Sequence, residues 1–144
     1  METQWILVAE SASARLLVRA APRGDVREIE RFDHPDSRKK GHELETDRSG
    51  GVDQSHGHAL SDSREKGAGQ RIEADAFARR LADHLETARG RDEFEQLVLI
   101  ADPRFLGMLR EHLDDDTLDR VITSIDKNLV KESAERIKDE IDGT

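Results

Sequence analysis

The chain has 144 residues, a formal net charge of −9 and no cysteine. That length suits one domain with one real core, and the absence of thiols excludes a disulfide scaffold, a thiolate zinc site and a cysteine nucleophile. Charged residues make up 38% of the chain, yet no segment gathers the basic footprint that a phosphate backbone requires, so binding to free DNA is not expected.

Aromatic residues are scarce, at 3%, so the core must be built from Leu, Val, Ile and Ala. The N-terminus carries Glu2 and no basic region, and its apolar run, Trp5 to Ala9, is too short for a signal peptide. No stretch approaches the ~20 apolar residues of a membrane helix. The expectation is a cytoplasmic protein without a membrane partner.

In chain order, "QWILVA" (Gln4–Ala9) is almost continuously apolar, as a central strand covered on both faces is. "ARLLVRA" (Ala14–Ala20) places Leu16 and Val18 on one face and Arg15, Leu17 and Arg19 on the other, which predicts a half-exposed strand. "VREIERF" (Val26–Phe32) carries charges on both faces, as an edge strand tolerates. Ser, Pro and Gly in the connectors "ESAS" and "APRGD" complete an antiparallel meander.

Periodicity then disappears from Asp33 to Gly69, which predicts an exposed, flexible insertion at 33–69. From Arg71, the stripe Ala74, Phe77, Ala78, Leu81, Leu85 and Ala88 predicts a helix, with Gly90 ending it in the left-handed conformation. "EQLVLIA" (Glu95–Ala101) reads as a second buried strand. "DPRFLGMLREHL" (Asp102–Leu113) reads as a helix with Asp102 as N-cap and Pro103 in the first position. "RVITSID" (Arg120–Asp126) predicts a strand and "SAERIKDEI" (Ser133–Ile141) a closing amphipathic helix. The order βββ–loop–αβαβα, with right-handed crossovers, predicts a single α/β domain over 1–144: a mixed five-stranded sheet, helices on its faces, in the ribonuclease H-like layout.

Three stretches carry a family resemblance. "WILVAESASARLLV" (Trp5–Val18), "LVLIADPRFLGMLREHL" (Leu97–Leu113) and "VITSIDKNLVKESAERIKDEI" (Val121–Ile141) resemble the bacterial host attachment protein family, whose members are described as required for attachment to host cells. The most specific parts are Asp102–Pro103–Arg104–Phe105–Leu106–Gly107 and, downstream, Ile125–Asp126–Lys127–Asn128–Leu129. That family is also similar to the central domain of archaeal and eukaryotic peptide-release factors and to ribosome-rescue proteins. In release factors, a loop bears a Gly-Gly-Gln tip that enters the peptidyl-transfer centre. The corresponding loop here offers Gly50, Gly51 and Gln54, with Val52 and Asp53 between them.

Several side-chain groups are candidate sites. His56 and His58 join Gly50, Gly51 and Gln54 as a possible recognition tip, and the two histidines could ligate a metal with His34, His42, Asp53 or Asp62 nearby in sequence. The competing reading is solvated loop histidines. Glu10 ends the first strand and Asp102 the fourth, so adjacent central strands would bring them together, as nucleases of this layout hold two Mg²⁺ ions; Glu73 or Asp75 could add a third carboxylate. Against that, Asp102 is already explained as an N-cap. "HLDDDTLD" (His112–Asp119) lacks the ligand alternation and glycine of a calcium loop and reads as a solvated loop with Asp116 or Thr117 capping a short turn. Arg38–Lys39–Lys40 is neutralised by neighbouring acids, and His84 and His112 are read as solvent-facing without a role.

The leading expectation is a non-enzymatic accessory protein of the host attachment family, cytoplasmic, needing no cofactor and acting on attachment indirectly. The alternatives are a translation-associated factor that uses the 33–69 loop at the ribosome, and a Mg²⁺-dependent nuclease using Glu10 and Asp102. The partner would be the ribosome or another protein.

Overall fold

The computed structural model of the protein describes residues 2–34 and 59–144. Strands β1 (Thr3–Ala9), β2 (Ser13–Ala20), β3 (Arg27–Asp33), β4 (Gln96–Ala101) and β5 (Val121–Ile125) form one sheet in the order β3-β2-β1-β4-β5. The meander β1-β2-β3 is antiparallel, while β4 runs parallel to β1 and β5 parallel to β4. Helices α1 (Ala59–Gly90), α2 (Pro103–His112), α3 (Asp115–Leu118) and α4 (Ala134–Asp142) complete the described elements. The expected mixed five-stranded α/β sheet is present.

Alternation along β1 splits the core in two. Trp5, Leu7 and Ala9 point to the face covered by α1 and α2, where they meet Leu97 and Leu99 of β4 and Phe77, Leu81, Phe105 and Leu109 of the helices. Ile6 and Val8 point the other way, with Leu17, Val98, Ile100 and Ile125, beneath Leu129 and the α4 residues Ile137 and Ile141. A strand covered on both faces can be apolar throughout, which is why "WILVA" contains no polar residue. Each fully buried Leu, Ile or Val there contributes ~1.5–3 kcal/mol.

Five sequence expectations are corrected. Helix α1 begins at Ala59, so 59–69 is helical rather than part of a loop, and Asp33 belongs to β3. The stretch "ALSDSREKGAG" has no apolar stripe, so periodicity gave no sign of it; its helical backbone extends a helix nucleated further along, where adding each residue is inexpensive. At the other end, α1 does stop at Gly90, but the left-handed residue is Asp92, with φ 56°.

The third correction concerns β2, which is not half-exposed: Arg15 and Arg19 are only 7% and 5% accessible. Residues from the far end of the chain cover them. Arg15 Nη1 donates to the carbonyls of Val130 (2.8 Å) and Glu132 (2.5 Å), and its Nε donates to Glu28 Oε1 at 2.6 Å. Arg19 Nε donates to Gln4 Oε1 at 2.9 Å. Its Nη1 lies 2.9 Å from Asp142 Oδ1, close enough for an ion pair although out of hydrogen-bond alignment. A register shift sets up the Arg15–Glu28 pair. Leu16 opposes Glu30 but Leu17 opposes Glu28, so Ile29 is bulged out and Glu28 moves to the face of Arg15.

Fourth, the acidic "HLDDDTLD" is not all loop. Asp114, rather than Asp116 or Thr117, caps the single-turn α3 by accepting from the Thr117 N–H at 2.8 Å. Hydrogen bonds from Thr117, side chain and backbone, together with the Arg89 charge, hold its carboxyl below the usual value. Fifth, His84 and His112 do not face open solvent. His84 stacks on Trp5 (centroids 6.2 Å), meets the edge of Phe32 (5.0 Å) and lies 3.5 Å from Glu30. His112 Nε2 lies 2.8 Å from Asp75 Oδ1, tying α2 to α1.

Candidate functional site

Strands β1 and β4 pair in parallel as far as Ala9 and Ala101. The next residues, Glu10 and Asp102, therefore leave the sheet at the same end. In an α/β sheet the crevice outside the carboxyl ends of parallel strands is where ligands commonly bind. A cleft of about 490 Å³ lies there, lined by both acids.

Each acid is also engaged locally. Asp102 sits in extended backbone (φ −60°, ψ 157°) and Oδ1 accepts from the Phe105 N–H at 3.0 Å; Pro103 follows in the first turn, where its missing N–H costs nothing. Glu10 closes the β1–β2 turn: its N–H donates to the Ser13 carbonyl at 2.9 Å, and Ser13 Oγ donates to its Oε2 at 3.1 Å.

The remaining wall comes from helices. Arg71 of α1 and Arg104 of α2 line the cleft from opposite elements, and both are exposed. Neither has an ionic or hydrogen-bond partner among the described residues. Gln70 and Ser11 add polar groups, and Ala12, Ala74, Phe105 and Met108 give apolar surface. Sequence reasoning found the acids through strand adjacency but missed both arginines. Arg104 stands two residues after Asp102 in the strand–cap–proline–helix junction, which was the available signal; Arg71 sits in a polar run that carried none.

Glu73 and Asp75, considered as a third carboxylate, do not line this cleft. Glu73 Oε1 lies 3.1 Å from Nε2 of His34, whose ring stacks on Phe77 at 5.1 Å, and Asp75 is paired with His112. Among the described residues, no three His, Asp or Glu side chains converge as a metal site. Gly50, Gly51, Gln54, His56 and His58 lie outside the described residues, as do His42, Asp53 and Arg38–Lys39–Lys40.

A family model described as "Protein required for attachment to host cells" matches residues 5–141. The chain belongs to this host attachment family. The match begins within β1 and ends within α4, so it takes in all of β2 to β5, most of β1, and both acids and both arginines of the cleft. It also spans the stretch 33–69 that the residue resemblance left outside. No curated protein matches the chain.

Proposed function

We propose that this host attachment protein is a non-enzymatic accessory factor that works in the cytoplasm, influences attachment indirectly, and acts by recognition at the cleft between the carboxyl ends of β1 and β4. We read its fold as ribonuclease H-like; the strand order β3-β2-β1-β4-β5, antiparallel then parallel, supports that reading. The apolar run near the start of the chain is spent as the central strand, and no described helix is long and apolar enough to cross a membrane.

One observation carries the recognition reading. Each acid of the cleft commits one carboxylate oxygen, Glu10 Oε2 or Asp102 Oδ1, to a hydrogen bond that shapes its own turn, while two guanidiniums from different helices at the rim have no partner among the described residues. Deleting the gene should lower attachment. The wild-type protein should restore it and fractionate with the cytosol, whereas an Arg71→Ala/Arg104→Ala variant of equal abundance should not. Full complementation by that variant would remove the cleft from the function.

A second reading is favoured by the position of Glu10 and Asp102 beside each other's strands. A Mg²⁺-dependent nuclease would use both, with the metal activating water for phosphodiester attack. Asp102→Asn separates the roles, because Asn caps a helix about as well as Asp. RNA or DNA cleavage that needs Mg²⁺ and vanishes in Glu10→Gln and Asp102→Asn, both still folded, would establish the nuclease and displace the non-enzymatic reading.

A further inference from the structure

We propose that the cleft binds a nucleoside monophosphate, with its phosphate held by Arg71 and Arg104 and its base and ribose donors held by Glu10 and Asp102. This rests on the reading of the cleft as the working surface and names the ligand class for it.

The wall chemistry narrows the choice. A purely anionic ligand would satisfy the arginines but meet two carboxylates; a purely cationic one would satisfy the acids and leave both guanidiniums facing like charge. The occupant must therefore carry an anion together with neutral N–H or O–H donors. Guanidinium forks match the tetrahedral oxygens of phosphate in a bidentate way, and the Arg71 and Arg104 forks have no competing partner among the described residues. Carboxylates accept from exocyclic amines and hydroxyls, and a base edge and ribose present those groups.

Size and apolar surface agree with this. A volume of about 490 Å³ is far larger than a free amino acid requires and falls within the ~300–1,000 Å³ of small-molecule pockets. The half-buried thioether of Met108 offers soft, polarisable surface for a planar ring, with buried Ala12, Ala74 and Phe105 as apolar backing.

Isothermal titration of the full chain with AMP, GMP, CMP and UMP tests the assignment, with inorganic phosphate, the matching nucleoside and a 5′-phosphorylated trinucleotide as comparators. At least one mononucleotide should bind at a 1:1 ratio, about tenfold tighter than phosphate or nucleoside alone, because each half of the site then contributes. Arg71→Ala and Arg104→Ala should each weaken binding by about tenfold, roughly the loss of a charge-assisted hydrogen bond. Both side chains are exposed, and circular dichroism verifies that the variants fold. The proposal is overturned by no saturation with any mononucleotide at millimolar concentration, by binding confined to the trinucleotide, or by unchanged affinity in the double variant. Such a result would remove the ligand assignment alone, since attachment complementation by the double variant is read separately.

Discussion

On the α1/α2 face of the sheet, Leu7, Leu97 and Leu99 meet Phe77, Leu81, Phe105 and Leu109, and Trp5 stacks on Phe94 with ring centroids 5.0 Å apart. The α4 face pairs a smaller aliphatic cluster with two buried arginines, whose guanidiniums bind groups at the other end of the chain. The first face gains stability roughly in proportion to apolar area, without directional demands. The second depends on aligned donors, on backbone carbonyls of residues 130 and 132, and on carboxylates that must stay ionised. The faces should therefore fail differently, and the C-terminal segment should be the first part of the domain to loosen.

The largest expected effect lies on the aromatic face. Phe77 is fully buried between His34 and Phe105. Phe77→Ala should cost about 3–5 kcal/mol in denaturant unfolding, through lost transfer energy plus a cavity. Because that face is the common core of α1, α2 and the sheet, the loss should appear as a lower midpoint for the whole domain.

Next is Arg15→Ala, which leaves the carbonyls of Val130 and Glu132 and the Glu28 carboxylate without their partner. A fully buried unsatisfied acceptor costs ~1–3 kcal/mol; these are only part-buried and can rehydrate, so a total loss of about 2–3 kcal/mol is expected. Hydrogen exchange distinguishes the faces. Amides of residues 129–142 should exchange faster while those of β1, β4 and the buried half of α1 keep their protection. Equal loss in α1 and α4 would mean that the two faces form one cooperative unit and would break the comparison.

Acid should produce a milder form of the same separation. Burial pushes the Glu28 carboxyl up, but the hydrogen bonds and charges of Arg31 and Arg15 outweigh it and hold the group below its ordinary 4.5. Hydrogen bonds from Lys127 and Arg136 lower Glu140 of α4 as well. A carboxylate with a depressed folded-state pKa adds stability that is fully present above about pH 4.5 and is lost as pH falls through the folded value. Amides and methyls of the C-terminal segment should therefore broaden below pH 4.5 before those around Phe77 do, as followed by NMR. In Glu28→Gln this early phase should shrink, because one of the titrating groups has been removed.

Legibility from sequence follows the same division. β1, β4 and the Asp102–Pro103 start of α2 were readable because their signals are local: a continuous apolar run, a cap, a proline. The meeting of Glu10 and Asp102 at one cleft followed from strand adjacency alone. The arginines of β2 were misread because an Arg-Leu-Leu-Val-Arg alternation looks half-solvated, and the groups that cover Arg15 are 115 and 117 residues away. The pairing of His112 with Asp75 is of the same kind, since a histidine on a helix surface gives no hint that a second helix brings it a carboxylate. Arg71 was hidden for a related reason, because in sequence it resembles any other exposed helix arginine, whereas Arg104 was marked by its place beside the Asp102 cap.

The smallest expected effect sits between α1 and β4, at a turn where local rules fail. Asp92 adopts φ 56°, the left-handed region that costs a residue with a Cβ ~1–2 kcal/mol, while Gly90, which could adopt it freely, remains within the helix. The position is fixed by hydrogen bonds from Asp92 N–H to the Arg89 carbonyl (2.9 Å) and from Glu93 N–H to Ala88 (3.0 Å), which turn the chain so that buried Phe94 can reach Trp5. Asp92→Gly relieves the strain but adds ~0.4–1 kcal/mol of chain entropy to the unfolded state, so the net gain should be about 0.5 kcal/mol. Thermal unfolding would show a small upward shift. A downward shift would mean that the Asp92 side chain contributes more to the turn than its backbone costs. Because the turn feeds the α1/α2 face, the gain should appear in the unfolding midpoint while early C-terminal exchange stays unchanged.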